Sequence, residues 1–430
     1  MSKLFVCLMV CIVAAEAQSQ KNYKDPGEYN LYEAVVKDID SGGFSKALAD
    51  LNSWKEKYPD SDFKYDRDFF YILTYAGENQ SPKVLDSSAD LLSADSLDTA
   101  KQVRLLYTVA SAIQQIPDPS PQQLATGAKA ARSLAAFDKI PEGIAPDAWA
   151  TTRVQLQATA RRALLYIALV PGARALRTSD CRSAEGTFRK ALSEFPESAQ
   201  AAGYLGEAEL CLYKTEPERA PLAIYERAAS LDPAQGMVDP KWQQQTVEPA
   251  LERLYNSYHG PDPEGLRKLK DLAIKSPLPP EGFTIESSAQ ITQRKQADFE
   301  AKNPELALWM RIKAALTAAD GEQYFESDLK DVAVPQLKGV LLAAKPACRP
   351  TELLIAVPLP DAKPPLQPEI AIKLEKPVAE KPELNGEILW EATAADFVKS
   401  PFLLTMKAEP AKIHGLNLSP CANSAPRRKQ

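Results

Sequence analysis

Histidine is the side chain that most often serves as a general base, and this chain has only two, His259 and His414. His259 precedes Gly260, which indicates a helix C-terminus where an imidazole caps the helix. His414 stands beside Gly415 at a predicted strand end, where a surface position is expected. The chain has no P-loop, G-x-S-x-G elbow, H-E-x-x-H helix, C-x-x-C pair or dinucleotide fingerprint. These patterns predict a protein that is not an enzyme and holds no cofactor or metal ion.

Paired carboxylates are the other candidates for acid–base chemistry in this chain. Glu207 with Glu209, and Glu216 with Glu218, form such pairs. Because 25% of all residues are charged, a solvated helix face is the expected role of these pairs. Lys and Arg number 51 against 57 Asp and Glu, and the net charge of −6 is unsuited to phosphate backbones. A nucleic-acid partner is therefore not expected.

The cysteines indicate an oxidising compartment. Cys7 and Cys11 lie in an N-terminal apolar run, which leaves an even set of four in the remaining chain: Cys181, Cys211, Cys348 and Cys421. Four cysteines allow three pairings, and we expect the two sequence-local disulfides, Cys181–Cys211 and Cys348–Cys421. The alternatives are four buried free thiols or a metal site, but no two of these cysteines have C-x-x-C spacing.

The N-terminus has the pattern of a secretory signal peptide. Lys3 precedes an apolar run from Leu4 to Ala15, and the small-x-small tripeptide Ala-Glu-Ala follows at 15–17. Cleavage there would leave Gln18 as the first mature residue. A membrane anchor is disfavoured because the run is shorter than the ~20 apolar residues that a span requires. Lipidation at Cys11 is disfavoured because branched Val10 precedes it. The mature chain is therefore expected to be periplasmic or secreted, without a membrane span.

A helix with a terminating proline recurs three times, with intervals of four, three and five residues between its four positions. The three copies are Ala47, Leu51, Trp54 and Pro59; Ala184, Phe188, Ala191 and Pro196; and Pro221, Tyr225, Ala228 and Pro233. Steps of four and three place the first three residues on one helix face, and the proline ends the helix one turn later. We interpret the positions on this face as core.

This pattern resembles the tetratricopeptide repeat, whose first helix carries a small residue where the second helix crosses it. Gly206 and Gly172 occupy that position, and Val35 stands there in the first copy. Pro171, beside Gly172, predicts a kink or an end of the helix. The whole chain is similar to exported bacterial tetratricopeptide proteins of unknown activity that end in a small β domain. That resemblance implies a protein–protein scaffold of the cell envelope.

Near residue 335 the helical periodicity gives way to short β-branched runs separated by proline-rich turns. Five strands are predicted: Leu337 to Ala343, Glu352 to Val357, Glu369 to Leu374, Gly386 to Trp390 and Phe402 to Lys407. The proline-rich segment from Pro358 to Pro368 is predicted as a loop. Because no helical crossover fits between these strands, we expect an antiparallel sheet or a five-stranded barrel similar to the OB type.

Together these patterns predict a mainly α protein. Its parts are a signal peptide (1–17), a tetratricopeptide-like α-α superhelix (18–334), a small β domain (335–421) and a disordered tail (422–430). The repeat register places partner contacts on the first helices, at Tyr29, Tyr32, Tyr166, Gln200 and Glu207. The partner is expected to be a protein bound on the concave face of the array. The alternatives are a purely structural envelope component and an enzyme with an unrecognised site in the β domain.

Export is the first testable prediction. The mature protein should begin at or near Gln18, because Ala-Glu-Ala at 15–17 is a signal-peptidase site. N-terminal sequencing of protein recovered from the envelope and the medium measures this directly. Recovery of a chain that still begins at Met1 in the membrane fraction would contradict the prediction.

Overall fold

A computed structural model describes residues 21–94, 96–231, 243–360 and 362–421. The predicted signal peptide, Pro233 of the third motif and the predicted disordered tail lie outside these residues. The chain divides into two compact units, one ending at Ile285 and the other beginning at Glu286. It is mainly helical with a C-terminal β region, as the sequence predicts at this coarse level.

The first unit is built from helices joined by short turns. Its helices are α1 (Pro26–Asp40), α2 (Phe44–Lys57), α3 (Lys64–Gly77), α4 (Ser81–Ser88), α5 (Thr99–Ile113), α6 (Pro121–Ala135), α7 (Pro146–Arg177), α8 (Cys181–Glu194), α9 (Ala199–Tyr213), α10 (Ala220–Ala229), α11 (Glu248–Tyr258) and α12 (Pro263–Lys275). Side-chain caps begin many of them: Ser120 and Gln123 form a reciprocal capping box on α6, and Asp98 caps α5. Each cap bonds a backbone N–H that the first helical turn leaves without a partner.

Helices α1 to α10 form two layers. Each helix packs against the next, and the odd-numbered helices α1, α3, α5, α7 and α9 also pack side by side in that order. The motif residues lie at the contacts, and Leu51, Trp54, Phe188 and Tyr225 are fully buried. Their interpretation as core is therefore confirmed, and the helical unit has solenoid-like layering.

Glycines mark four of the helix crossings in this unit. A Cβ atom at each would lie within 2.4–3.2 Å of a side chain from the neighbouring helix: Gly77 against Phe44, Gly127 against Ile113, Gly172 against Phe188, and Gly206 against Arg227. Small residues therefore allow neighbouring helices to approach closely enough for their side chains to touch backbone. The expectation for Gly172 and Gly206 is confirmed, and Val35 is fully buried despite its size.

Helix α7 does not end at Pro171, contrary to the sequence expectation. It continues from Pro146 to Arg177, with Pro171 inside it. Pro171 is exposed, so its ring points away from the packed interior, and the contacts of Gly172 and Leu169 hold the helix on both sides of it. Tertiary packing thus outweighs the one backbone hydrogen bond that proline removes.

Both sequence-local disulfides are present, as predicted. Cys181, the first residue of α8, is bonded to Cys211 in α9, with 5.7 Å between their Cα atoms. Cys348 is bonded to Cys421 across 5.8 Å, and this second bridge closes 73 residues of the β region. Two disulfides fit an oxidising compartment.

The second unit begins about fifty residues before the predicted boundary at 335. It comprises α13 (Ser288–Lys302), α14 (Pro304–Thr317), α15 (Gly321–Tyr324) and the strands β1 (Ala333–Lys345), β2 (Glu352–Ala356), β3 (Ile370–Leu374), β4 (Lys381–Pro382), β5 (Glu387–Lys399), β6 (Phe402–Ala408), β7 (Ile413–His414) and β8 (Leu418–Ser419). Helix α14 belongs to this unit because its Trp309, Ile312 and Leu316 share one apolar core with the strands. The change from helix to strand therefore does not coincide with the boundary between the units.

Five strands close into a barrel in the order β1-β2-β3-β6-β5, with β5 returning to pair with β1. All five predicted strands are present, and residues 357–360 and 362–369, between β2 and β3, have no strand structure. Of the two predicted alternatives, an antiparallel sheet or a five-stranded barrel, the structure has the barrel. Its pairs are not all antiparallel, because β3 and β6 run parallel from Ile370↔Leu404 to Leu374↔Ala408. Gly339 permits closure, since a Cβ there would lie 2.5 Å from the Ala356 carbonyl oxygen.

Helix α14 is attached to the barrel by a single carboxylate. Glu369, just before β3, accepts a hydrogen bond from Trp309 Nε1 at 3.0 Å. It also forms an ion pair with Lys313 Nζ at 2.5 Å. The Lys313 ammonium also lies 5.5 Å from the centre of the Phe402 ring, and Trp309 packs edge-on against the same ring. These contacts hold the helix against the barrel core.

The glycine crossings predict opposite effects of two glycine-to-alanine substitutions in one helical pair. Gly172→Ala places a methyl group 2.6 Å from the Phe188 ring, and we expect a loss of about 1–3 kcal/mol of unfolding free energy. Gly186→Ala in α8 meets no atom within 4 Å, and we expect a gain of about 0.5–1 kcal/mol from helix propensity. Urea unfolding of both variants measures the difference. Equal changes in unfolding free energy for the two variants would show that the crossing of Gly172 with Phe188 is loosely packed.

Candidate functional site

The most distinctive surface of the helical unit lies on α5. Arg104, Thr108 and Ser111 follow one another at intervals of four and three, so they share one side of this helix. All three are half-buried, and no residue from Thr99 to Ile113 is exposed, although α5 also carries Lys101. Neighbouring helices therefore cover part of the α5 surface, including its polar side chains. We call the surface formed by α1, α3 and α5 at this side the odd-helix groove.

Side chains from α1 and α5 interact electrostatically across α3. Lys101 on α5 and Tyr32 on α1 interact electrostatically, and so do Arg104 on α5 and Asp40 on α1. Helix α3 lies between α1 and α5 and contacts both. Helix α3 therefore forms the floor of the groove.

Burial changes the acid–base properties of these groups. Desolvation by burial raises the pKa of Tyr32, with Lys101 opposing the change and Asp66 adding to it. Desolvation lowers the pKa of the Arg104 guanidinium, and the Asp40 carboxylate opposes that change. The groove is thus a partly desolvated surface, where electrostatic contacts are stronger than on open protein surface.

An aromatic cluster closes the N-terminal end of the groove. The Tyr23 ring stacks on Phe63 at 4.3 Å between centroids and meets Tyr29 and Tyr32 edge-on at 5.2 and 5.8 Å. Tyr29 is 46% exposed, and Tyr23, Tyr32 and Phe63 are half-buried. Burial and neighbouring acidic groups raise the pKa of Tyr23 to about 12, so its hydroxyl remains a donor. Half-exposed tyrosines of this kind are frequent binding hot spots.

Asp66 joins three segments of the chain at this end of the groove. Its nearly inaccessible carboxylate pairs with Lys21 at 2.6 Å and with Lys101 at 2.7 Å. Lys101 also pairs with Asp98 at 3.1 Å. The residues before α1, the first turn of α3 and the first turn of α5 are therefore joined by one buried charge. Removing that carboxylate would leave two lysines without their shared partner.

The five predicted contact residues do not form one site. Tyr29 and Tyr32 lie together in the aromatic cluster, whereas the Tyr166 hydroxyl donates to the Ile116 carbonyl and is committed to packing α7. Glu207 is exposed but pairs with Arg227 at 2.6 Å. Gln200 is half-buried at the start of α9.

Arg104 and Thr108 belong to the groove but are not among the residues predicted from the repeat register. Their spacing with Ser111, in a helix that is mainly apolar after Gln102, is a signal that the sequence does contain. The copies of the motif do not include α5, and the register therefore gives no reason to choose them.

A second cluster of charges is buried between α8, α9 and α10. Glu209, fully buried, pairs with Arg189 at 2.9 Å and Arg219 at 3.3 Å, and Glu185 pairs with the same two arginines. Burial and the Glu185 charge raise the pKa of Glu209, although both arginines oppose this. Although the Arg189 side chain is 40% exposed, the members of this network pair with one another, so we interpret it as structural.

Glu226 lies beside this network without a partner. It is 1% exposed, and neither carboxyl oxygen has a hydrogen bond to the described residues. Burial raises the pKa of Glu226 to about 9, with Arg189 lowering it and Glu209 raising it further. The side chain is therefore protonated at neutral pH.

The two histidines do not form a catalytic arrangement in the described part of the chain. His259 caps the end of α11 and lies 3.5 Å from the Asp262 carboxylate, and His414 is exposed on β7. Among the described residues, no group of three or more His, Cys, Asp or Glu is arranged to hold a metal ion. In the same residues no helix combines the length and the apolar character that crossing a bilayer requires.

Comparison with known proteins gives no further guide to the site. No protein-family model matches the chain, and no curated protein is significantly similar to it in sequence.

Glu226 should make the unfolding free energy depend on pH. Between about pH 4.5 and pH 9 the folded state keeps a proton that the unfolded carboxyl loses, so stability falls as pH rises, by about 1.4 kcal/mol per unit. Glu226→Gln cannot ionise, and we expect it to be more stable than the wild type at pH 8 and similar near pH 4.5. Thermal unfolding across this range measures the difference.

The matched control is Glu194→Gln, which removes an exposed carboxyl from α8. It should leave the pH dependence unchanged. A Glu226→Gln profile parallel to that of the wild type would show that Glu226 ionises normally in the folded protein.

Proposed function

We propose that this chain is a non-catalytic scaffold that binds a partner protein in the odd-helix groove. The observation that carries the proposal is the electrostatic interaction of α1 and α5 side chains across α3, because it shows that polar groups of three neighbouring helices face one surface. Extended recesses of this kind are the surfaces that helical repeat proteins use for binding. Groups in and around the groove have the composition of a protein interface.

Tyrosine and arginine are enriched at binding hot spots, and the groove offers both on rigid helices. Tyr29 and Tyr32 present half-exposed rings at one end, and Arg104 presents a guanidinium farther along. Rigid helical placement lowers the conformational entropy that is lost on binding. The groove contains no histidine or cysteine, which favours binding over catalysis as its role.

The proposal includes the finer structural class of both units. The buried motif residues, the glycine crossings and the two helical layers support a tetratricopeptide-type array for the first unit. The strand order with one parallel pair between β3 and β6 supports an OB-type barrel for the second. The two disulfides support a periplasmic or secreted location.

Site-specific photocrosslinking tests this function. With benzoylphenylalanine in place of Thr108, inside the groove, we expect a discrete adduct with one envelope protein, and excess unlabelled wild-type chain should suppress it. The control places the same group at Ser133, an exposed position on α6 in the other helical layer. No competed adduct from Thr108, or equal adducts from both positions, would contradict a binding role for the groove.

A purely structural component of the envelope is the competing function. It predicts that the Thr108 adduct cannot be competed, because a permanent assembly does not exchange with added protein. The same experiment therefore separates the two functions.

A further inference from the structure

The two disulfides differ in where their cysteines lie relative to the helices. Cys181 is the first residue of α8, and Cys211 lies in the last turn of α9. Cys348 and Cys421 follow β1 and β8, and neither belongs to a helix or a strand. All four cysteines are half-buried, so exposure does not distinguish the two bridges. Position at a helix end does.

The ends of α8 and α9 act in opposite directions on the two sulfurs of the first bridge. A helix N-terminus carries a partial positive charge that stabilises a thiolate, and a helix C-terminus carries a partial negative charge that destabilises one. Cys181 therefore gives the more stable thiolate of the pair. Thiol–disulfide exchange is faster when the departing sulfur is the more stable thiolate, which selects Cys181 as the leaving group.

The side-chain charge that opposes a thiolate at Cys181 is that of Asp180. This carboxylate caps α8 by accepting a hydrogen bond from the Ser183 backbone N–H at 3.1 Å. Arg182, on the other side of Cys181, already pairs with Glu216. The Asp180 carboxylate should therefore slow the departure of the Cys181 thiolate without cancelling the effect of the helix end.

Side-chain charges near Cys211 balance one another. Glu207 precedes it by four positions along the chain, and Lys214 follows it by three. Both side chains are exposed, so water and salt screen their opposite charges. The helix C-terminus is therefore the main electrostatic influence on the Cys211 sulfur.

Packing that does not involve sulfur also holds α8 against α9. Phe188 is fully buried, and its ring stacks on Tyr204 with 5.1 Å between centroids. Arg189 on α8 pairs with Glu209 on α9 at 2.9 Å. The two helices should therefore stay side by side when the bridge opens, so that the two sulfurs can rejoin.

We propose that Cys181–Cys211 is a thiol-exchange site, at which a low-molecular-weight thiolate attacks the Cys211 sulfur and displaces Cys181. A bond forms between the attacking sulfur and Cys211 Sγ, the bond between the two cysteines breaks, and its electron pair leaves on Cys181. The attacking sulfur is oxidised as the Cys181 sulfur is reduced, so no further oxidant or reductant takes part. Attack of the Cys181 thiolate on the capped Cys211 reverses the reaction.

The product is a chain that carries the small thiol on Cys211 and a free thiolate on Cys181. Its amount depends on the concentration of the thiol, since the reverse reaction closes the bridge again. This activity goes beyond the proposed binding function and does not depend on the odd-helix groove.

The test treats the full chain with reduced glutathione and stops the reaction at early times with excess N-ethylmaleimide, which alkylates every free thiol. Peptide mapping then locates both labels. We expect glutathione on Cys211 and maleimide on Cys181. The Cys348–Cys421 bridge should open about three- to tenfold more slowly, because neither of its cysteines lies at a helix end.

Asp180→Asn should accelerate the opening of Cys181–Cys211 by roughly two- to fivefold, because it removes a negative charge beside the departing thiolate. Asparagine also caps helices, so α8 keeps its first hydrogen bond. The matched control is Glu194→Gln, which removes an exposed carboxylate from the last residue of α8, about 20 Å from Cys181 along the helix. It should leave the rate unchanged.

Four results would overturn the inference. They are glutathione on Cys181 with maleimide on Cys211, a Cys181–Cys211 bridge that resists glutathione, opening of Cys348–Cys421 at an equal or higher rate, and equal rates for Asp180→Asn and Glu194→Gln. The first three are read from the wild-type chain, so a folding defect in a variant cannot produce them.

Discussion

Close approach between helices is the constraint on which the first unit depends. At four crossings a glycine faces a side chain of the neighbouring helix, and in three of them that side chain is a large apolar one. Each contact brings backbone and side chain together without an intervening methyl group, so consecutive helices are held at short spacing. Two of the four crossings fix helices of the groove, because Gly77 lies in α3 and Ile113 in α5. The placement of the groove helices therefore depends on their packing against the other helical layer.

The second unit depends on closure of its five-stranded barrel, whereas the first depends on close approach between helices. Pairing of β5 with both β1 and β6 leaves the barrel without a free long edge among its five strands, so the backbone groups of these strands find partners within the unit. Gly339 is needed where β1 passes close to the Ala356 carbonyl, and Glu369 fixes α14 against the apolar core. The unit therefore extends beyond its strands to include a helix that the strand pattern does not reveal.

The sequence predicts local features well and tertiary ones poorly. The buried motif helices and all five barrel strands follow from hydrophobic periodicity, and both disulfides follow from the order of the cysteines. The parallel β3–β6 pair and the membership of α14 depend on contacts between distant residues, which periodicity does not record. Arg104 and Glu226 could not be recognised for the same reason, because their surroundings within the described residues, including Asp40 near Arg104 and the unbonded carboxyl oxygens of Glu226, depend on tertiary packing. The Tyr166 hydroxyl donates to the Ile116 carbonyl and Glu207 pairs with Arg227, so partners distant in sequence already occupy both predicted contact residues.

The second disulfide determines how the β region would respond to tension on the chain. A pull that enters from the helical side reaches Cys348 and passes through the sulfur bridge directly to Cys421, 73 positions later, so the residues between them lie outside the path of the force. Of the five barrel strands, only β1 precedes Cys348 and would be under load. The other four strands would remain folded until the bridge is reduced, and the protein could serve as a tether whose extension is limited by its redox state.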